Sequence, residues 1–374
     1  MSPDTKITVY YGPLSWFDEI VGEAEDEGLL EAAFALDEKR REFRLAKDDD
    51  EDDEVEIDRP ERLIAKSGDY ASLNEHVISN FSGLIRTLDP EQLHLHNPPE
   101  QVRIHLQRVF SGSFNDPILY DYPTVTKDTL KSFYDDFGSH LIGQEGVRGD
   151  LLAALYPLTR PGRKTPVVVM FYGPSGVGKT ETARFVNGLL DGELLRKQFS
   201  MFHSENFASY LFGGRHSEAS FARDLLDRES GVVLIDEFDK AAEVFHSAFY
   251  QFFDGGVFED KNYRVDIGPA LIICTSNYRS EKEISSALGD ALFSRFDALI
   301  EFSQPSQEQV ISIIDRLVDQ RVAALGEDEK ADLDIDQVKR YLHPISKNAS
   351  NVRKLGKLAD QIISTILVER LIGL

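Results

Sequence analysis

The chain has 374 residues, of which 41% are hydrophobic and 28% charged, and its formal net charge at pH 7 is −24. Its length allows two or three domains, and its hydrophobic content is ordinary for a globular protein. Residues 1–125 carry 28 acidic and 12 basic side chains. Such a surface repels phosphate backbones, so nucleic acid is disfavoured as the main ligand.

Neither a membrane span nor a secretion signal is visible in the sequence. No apolar run reaches the roughly 18 residues that a spanning helix requires, and the first residues lack a basic and then an apolar region. The only cysteine, Cys274, cannot form an internal disulfide, and its setting in LIIC predicts a buried structural thiol. We therefore expect a cytoplasmic protein.

Residues 1–125 are predicted to form an acidic accessory domain of mixed secondary structure. A strand is expected at 6–11, and helical spacing follows at Leu14, Phe17 and Val21 and again over 29–34. The acidic block at 48–54 is interpreted as a flexible linker or exposed loop, with an interaction tail as the alternative. One helix is predicted over 70–88.

A further helix is predicted from Asn97, with Asn97 as its N-cap and Pro98 as its first residue. His94, His96 and His105 lie close in sequence, but no cysteine or compact acidic ligand set accompanies them. A structural or surface role is therefore favoured over metal binding. We assign no chemistry to this domain.

Residues 126–303 alternate strand and helix signals, which predicts a parallel sheet covered by helices on both faces. Strands are expected at 167–172, 198–202, 232–235, 270–275 and 298–302, and helices at 179–190, 218–229, 243–253 and 281–294. Residues 304–374 show only helical patterns, at 306–325, 335–342 and 350–372. We predict a nucleotide-binding domain at 126–303 and a helical lid at 304–374.

The segment GPSGVGKT, residues 173–180, matches the phosphate-binding pattern G-x-x-x-x-G-K-[ST] and lies between a predicted strand and a predicted helix. Gly173, Gly176 and Gly178 allow backbone N–H groups to converge on phosphate oxygens. Lys179 can reach the β- and γ-phosphates, and the Thr180 hydroxyl can bind Mg²⁺. Pro174, Ser175 and Val177 complete the predicted loop, which indicates a nucleoside triphosphate site.

A second element, VVLIDE at 232–237, is a predicted buried strand that ends in two acidic residues. Asp236 is the candidate Mg²⁺ ligand, generally through water, and Glu237 the candidate base for the attacking water. This pair predicts hydrolysis in addition to binding. Asn277 ends the next predicted strand and can position water, although Thr275, Ser276 and Asn277 also fit an ordinary turn.

Over residues 138–374 the sequence resembles AAA+ ATPases, most closely the second ATPase module of the Clp disaggregases and unfoldases. The matching segments, in family order, are LIGQEGV at 141–147, IDEFDKA at 235–241, DGGVFEDKNYRVD at 254–266, TSN at 275–277, FSRFD at 293–297 and SNVRKL at 350–355. The resemblance implies that Ile142 and Gly143 lie against adenine. It also implies that Asn277 is the first sensor and Arg353 the second.

The same resemblance implies a three-layer nucleotide domain with a helical lid, and a homo-oligomeric ring, commonly of six subunits. Arg295 would be an arginine finger that reaches the nucleotide of the neighbouring subunit, so hydrolysis should require assembly. Composition alone would equally allow Arg295 and Arg353 to be surface arginines.

One segment departs from the family pattern. Clp motors grip polypeptide with a G-aromatic-V-G loop, but here LFGGRHSEASFARDLL occupies 211–226, is shorter, and places Arg215 and His216 after its two glycines. Phe221 is expected to belong to the next helix. Arg215 or His216 could replace the aromatic residue, but a shortened structural loop fits better.

Two functions therefore remain open, and a third is disfavoured. The first is an ATP-driven remodeller that engages protein substrates or partners. The second is a nucleotide-dependent oligomeric switch or scaffold that recruits an effector without threading it. A nucleic-acid motor or loader is disfavoured by the acidic charge.

Overall fold

The computed structural model describes residues 5–22, 27–46, 59–201, 204–331, 333–348 and 351–372. The acidic block predicted as a linker, 48–54, lies outside the described residues. None of the described helices combines the length and the apolar character needed to cross a bilayer.

The N-terminal region forms an α/β fold whose five strands are all parallel. The strands are β1 (Lys6–Tyr11), β2 (Glu27–Gly28), β3 (Arg62–Ala65), β4 (Gln92–His96) and β5 (Ile118–Leu119), in the order β2-β3-β4-β1-β5. The helices are α1 (Leu14–Val21), α2 (Leu29–Ala46), α3 (Ser67–Ser72), α4 (Glu75–Ser79), α5 (Phe81–Leu88) and α6 (Glu100–Val109). Its core contains apolar side chains of β1, β3 and β4, which pack with those of α2, α5 and α6.

Two helix predictions in this region are wrong. The helix predicted over 70–88 is three short helices, because Leu73 adopts an extended conformation and Asn80 leaves the helical region. Asn97 is not an N-cap, and α6 begins only at Glu100. Asn97 has φ +43°, and its side chain donates to the Gly12 carbonyl (2.8 Å) and accepts from the Gly12 N–H (3.2 Å). The asparagine thus ties the end of β4 to the end of β1.

The region predicted to bind nucleotide has a second parallel sheet in the order β12-β6-β11-β8-β7. Its strands are β6 (Val167–Tyr172), β7 (Leu195–Gln198), β8 (Val232–Asp236), β11 (Leu271–Thr275) and β12 (Ala298–Glu301), and a separate antiparallel hairpin contains β9 (Val257–Glu259) and β10 (Arg264–Asp266). The helices are α7 (Lys127–His140), α8 (Glu145–Leu155), α9 (Lys179–Gly188), α10 (Ser204–Phe212), α11 (Phe221–Leu226), α12 (Tyr250–Gly255) and α13 (Glu281–Phe293). β6, β8 and β11 are fully buried, as their apolar sequences predict.

Three further boundaries differ from prediction. The strand predicted at 198–202 is β7, which ends at Gln198 and is followed by a 3₁₀ turn (Phe199–Met201). The predicted strand begins too late because the buried Phe199 of the turn has the apolar character expected of a strand residue. β7 itself is a partly exposed edge strand. The helix predicted over 218–229 covers only α11, and that over 243–253 is a 3₁₀ segment (Glu243–Phe249) followed by α12.

The C-terminal region is helical, with α14 (Gln307–Ala323), α15 (Glu327–Ala331), α16 (Ile335–Leu342) and α17 (Val352–Leu371). Val310, Ile314 and Val318 of α14 pack against Leu355 and Ala359 of α17 in a core of their own. The predicted α/β architecture, with a parallel sheet and a helical C-terminal region, is confirmed.

By internal contacts the chain divides into two compact units. The first contains Met1–Pro123, Phe202–Gly231 and Ser247–Gly268, and the second contains Thr124–Met201, Val232–His246 and Pro269–Leu374. The phosphate-loop segment, β8, β11 and the helical region all belong to the second unit. The three-domain division at 125 and 303 stays a prediction.

Candidate functional site

The glycine-rich loop joins β6 to α9, as its sequence predicts. Gly173, Gly176 and Gly178 have φ values of +128°, +82° and +111°, which residues with a Cβ rarely adopt. A Cβ on Gly173 would lie 2.2 Å from the Phe302 carbonyl oxygen. The loop therefore requires glycine both for its conformation and for its packing, and it leads directly into the N-terminus of α9.

Lys179 lies in this loop with its ammonium group held by oxygen atoms. Its Nζ donates to the carbonyl oxygens of Gly173 (2.6 Å) and Pro174 (2.8 Å) and to Asn277 Oδ1 (3.3 Å). Burial lowers the pKa of Lys179 to about 8, and the opposing effect of Asp239 and Asp236 is smaller. A phosphate group would supply the anionic partner that this ammonium group lacks.

Asp236 ends β8 with its side chain only 6% exposed and both carboxylate oxygens engaged. Arg196 on β7 donates from Nε (3.0 Å) and Nη2 (2.5 Å) to Oδ2, and the Thr275 hydroxyl donates to Oδ1. The Thr180 hydroxyl lies 3.4 Å from each oxygen. A carboxylate and a hydroxyl at this spacing form a donor set that suits Mg²⁺, a hard cation.

Glu237 follows in a left-handed conformation with φ +58°. Its N–H donates to Thr275 Oγ1 (2.9 Å), and its Oε2 accepts from Gln198 Nε2 (3.1 Å). Thr275 therefore touches both neighbouring acids, accepting from the Glu237 backbone and donating to the Asp236 carboxylate. This network fixes the orientation of the Glu237 carboxylate, which lines a cavity.

Most of the site residues predicted from sequence converge on one cavity, whose volume is about 790 Å³. Its lining includes Ile142, Ser175, Gly176, Val177, Gly178, Lys179, Thr180, Asp236, Glu237, Asn277 and Arg353. Gly173, Pro174 and Gly143 flank it in the chain without lining it. Arg295 does not line it either, and its side chain bonds the Ala291 carbonyl.

The Ile142–Gly143 segment is tied to the phosphate loop and to α14. Gln144 Nε2 donates to the carbonyl oxygens of Val177 (3.2 Å) and Ser303 (2.9 Å). Gly143 has φ +81°, and a Cβ there would lie 2.8 Å from Gln309 Oε1. The segment predicted to contact adenine thus lies at the same cavity as the loop predicted to bind phosphates.

Several lining residues carry no signal that the sequence reasoning used. Arg196 and Gln198 contact Asp236 and Glu237, but the strand that carries them was predicted three residues too late. Further cationic residues of the lining are Arg184, Arg316, Arg321 and Lys357. The C-terminal helices supply the last three, because α14 and α17 pack side by side above the cavity.

Two of the three histidines considered as metal ligands, His94 and His96, have other partners. His96 is fully buried, and its Nε2 bonds the Gly12 carbonyl (2.8 Å), while His94 Nδ1 bonds the Tyr10 hydroxyl (3.0 Å). Burial lowers the pKa of His96 to about 4. Across the part of the chain that the structure describes, no three His, Cys, Asp or Glu side chains gather as a metal site.

Replacing Gly176 by Ala should uncouple the phosphate loop from α17. The new Cβ would lie 2.3 Å from Oδ1 of Asn351, which caps α17, and φ +82° adds about 1–2 kcal/mol of backbone strain. We expect a lower melting temperature and nucleotide binding weakened by about tenfold, or ~1.4 kcal/mol. Thermal denaturation and titration with a fluorescent nucleotide measure both effects.

Gly188→Ala is the matched control, since Gly188 ends α9 and a Cβ there would meet nothing within 4 Å. It should bind nucleotide as the wild type does. Wild-type affinity in Gly176→Ala would show that the contact between loop and α17 is dispensable.

Comparison with known proteins supports this interpretation of the site. Residues 164–334 match the family model described as AAA domain (Cdc48 subfamily). The Clp protease ATP-binding subunit ClpE of Lactococcus lactis is 27% identical over 235 residues, covering 54% of this chain and 31% of that protein. Chaperone protein ClpB of Clostridium tetani is 27% identical over 292 residues, covering 65% of this chain and 33% of that protein.

A shorter match is closer in sequence. ClpB of Yersinia enterocolitica is 36% identical over 129 residues, covering 32% of this chain and 14% of that protein. The chain therefore spans about a third of the length of the first two relatives. Hsp104, in a closed-state cryo-EM reconstruction with ATPγS and FITC-casein, has a TM-score of 0.57 at 14% identity, covering 99% of this chain and 89% of that one.

The Hsp104 likeness, at this identity, concerns the fold alone. The family match at 164–334 includes the glycine-rich loop, Asp236, Glu237 and Asn277, whereas Ile142 and Arg353 lie outside it. Together the family match and the Clp relatives show that residues 164–334 form an AAA-type ATPase domain similar to the nucleotide-binding modules of Clp proteins.

Proposed function

We propose that the chain binds Mg²⁺-ATP in the cavity and hydrolyses it within a homo-oligomeric ring, and that the cycle remodels or engages a partner protein in the cytoplasm. The observation that carries this proposal is the convergence of Lys179, Thr180, Asp236, Glu237 and Arg353 on one cavity. These side chains come from separate parts of the chain, so their meeting is not a local accident of sequence.

Each side chain has a proposed role in hydrolysis. Lys179 exchanges its backbone carbonyl partners for phosphate oxygens, and Thr180 and Asp236 hold Mg²⁺, which offsets phosphate charge. Glu237 accepts the proton of the attacking water, and Asn277 positions that water. Arg353 stabilises negative charge that develops on the phosphoryl group. Ile142 and Gly143 bind adenine.

The ring is proposed from Arg295 and from the resemblance to Clp proteins, with six subunits as the expected number. Arg295 follows α13, its N–H donates to the Leu292 carbonyl (3.1 Å), and it does not line the cavity of its own chain. We assign it to the nucleotide site of a neighbouring subunit, so that one active site contains residues of two chains.

A second candidate is a nucleotide-dependent switch or scaffold that does not thread polypeptide. The 211–226 segment, which occupies the position of the polypeptide-gripping loop, packs with the N-terminal region inside the first unit. His216 is 8% exposed, and its Nε2–H donates to the Leu73 carbonyl (2.7 Å). Arg223 Nη2 donates to the Ser67 carbonyl (3.1 Å), and Phe221 is fully buried.

Neighbouring residues strengthen this attachment. The Asp227 carboxylate accepts from the Leu14 N–H (2.9 Å), and Glu229 accepts from the Ser15 hydroxyl (2.9 Å). In the following hairpin the Asn262 carbonyl accepts from the Glu100 N–H (2.8 Å). Of the two residues considered as a substitute grip, only Arg215 is exposed. These contacts favour a structural role for the segment.

The two candidates predict different behaviour of Arg215→Ala and His216→Ala. If the chain grips unfolded protein with this segment, casein should stimulate ATP turnover and Arg215→Ala should remove the stimulation. If the segment is a structural attachment, Arg215→Ala should behave as wild type, while His216→Ala should lose about 1 kcal/mol of stability because the partly buried Leu73 carbonyl loses its donor.

Steady-state turnover with and without casein, together with thermal denaturation of both variants, gives the comparison. We expect the second pattern. Loss of casein stimulation in Arg215→Ala, at unchanged stability, would establish gripping by this segment instead. Stimulation by nucleic acid at physiological salt would revive the disfavoured motor or loader.

A further inference from the structure

The charge of Asp236 is balanced by an arginine from the sheet edge. Two N–H groups of Arg196 point to one oxygen, Oδ2, while Thr275 occupies Oδ1. Both oxygens of this carboxylate are therefore engaged by donors of the protein itself. The water molecules around Mg²⁺ are also donors, so they require the same acceptor oxygens.

The two partners differ in their exposure to solvent. The Asp236 side chain is 6% exposed, whereas that of Arg196 is 32% exposed. A buried carboxylate without a positive partner is costly, but a guanidinium that is already about one-third exposed is rehydrated when it swings out. The pair can therefore open at low cost only when another positive charge reaches Asp236.

The position of Arg196 in the sheet leaves it room to move. β7 is the last strand in the order β12-β6-β11-β8-β7, and among the strands that the structure describes it pairs with β8 alone. All four of its residues are partly exposed, and Arg196 lines the cavity that contains Thr180. A guanidinium bonded to Asp236 also repels a divalent cation held by the same carboxylate.

We propose that Arg196 is a displaceable counter-charge that competes with Mg²⁺ for Asp236 and thereby sets the Mg²⁺ concentration required for nucleotide binding. This inference rests on the proposed role of Asp236 as a metal ligand. Arg196 is a positioning residue: it holds the Asp236 carboxylate in its orientation before the nucleotide arrives and gives way when the nucleotide binds.

The test is the Mg²⁺ dependence of nucleotide binding by Arg196→Gln, which keeps a polar side chain and removes the charge. We expect the Mg²⁺ concentration for half-maximal binding of mant-AMPPNP to fall by about tenfold, because the competitor is gone. In EDTA the variant should melt below wild type, and Mg²⁺ with nucleotide should recover most of that loss. Neither readout requires turnover.

Two further variants complete the comparison. Arg196→Lys retains a positive charge and should keep a Mg²⁺ requirement near that of wild type. Arg340→Gln removes an exposed arginine that forms a surface ion pair with Asp334 (3.4 Å) and does not line the cavity, and it should change neither readout.

The possible results test the competition between Arg196 and Mg²⁺ separately from the proposed ATPase function. An unchanged or higher Mg²⁺ requirement in Arg196→Gln would overturn the competition, while metal-dependent binding by wild type would leave the proposed ATPase site standing. If Asp236→Asn bound mant-AMPPNP with the Mg²⁺ dependence of wild type, the metal assignment itself would be wrong, and the inference would fail with it.

Discussion

Glu237→Gln should bind ATP as tightly as wild type and lose hydrolysis by about 10²- to 10⁴-fold, the usual contribution of a general base. The change keeps the size of the side chain and its contact with Gln198, and it leaves the Glu237 N–H on Thr275. It removes only the group that takes the proton of water. Phosphate release measures turnover, and titration with a fluorescent nucleotide measures affinity.

Glu243→Gln is the matched control because Glu243 is exposed and follows Glu237 by one short turn in the chain. It should hydrolyse ATP at the wild-type rate. Wild-type hydrolysis in Glu237→Gln would show that another residue activates water. Because Glu237→Gln should not hydrolyse its ATP, it should also keep its oligomers and bound partners together during size-exclusion chromatography in ATP.

The convergence of the candidate site residues on one cavity was predictable because their sequence signals are local and their geometry follows from sheet topology. Gly173 follows β6, Asp236 ends β8 and Asn277 follows β11, and these neighbouring strands are parallel. Their carboxyl ends therefore lie at one edge of the sheet.

Cys274 also follows its local sequence pattern: it is fully buried in β11, and burial raises the pKa of its thiol.

The side chains that contact Asp236 and Glu237 were not predictable in the same way. Arg196 and Gln198 lie on an edge strand whose polar, partly exposed residues resemble a loop, and the buried Phe199 shifted the predicted strand toward its C-terminal side. Which carboxylate each side chain contacts depends on the register of β7 with β8, where Arg196 pairs with Leu234 and Gln198 with Asp236. No single-strand pattern encodes that register.

Two strands of the N-terminal sheet, β3 and β4, were not predicted from the sequence either. β3 and β4 contain four and five residues, too few for a strong alternation, and they lie among helical patterns. His216 illustrates a second kind of limit. The sequence predicts a shortened structural loop around His216, and only the fold reveals the Leu73 carbonyl as the partner of its side chain.

Arg295→Ala should bind nucleotide normally and lose turnover by about 10³-fold or more, the range of arginine fingers. In its own chain Arg295 contacts Ala291 and Leu292 and does not line the cavity, so its removal leaves the binding residues in place. The loss would therefore arise at a neighbouring subunit. Nucleotide titration and phosphate release provide the two measurements.

Mixing two inactive variants tests whether the active site is shared. An Arg295→Ala subunit still has Glu237, and a Glu237→Gln subunit still supplies Arg295, so a mixed ring contains some interfaces with both residues. Turnover should therefore reappear on mixing, although each variant alone is inactive. The control is a mixture of Arg340→Gln with Glu237→Gln. Because Arg340→Gln should behave as wild type, this mixture measures how inactive subunits reduce the turnover of active ones. A fully active Arg295→Ala variant would remove Arg295 from the mechanism and, with it, the principal structural reason for a ring.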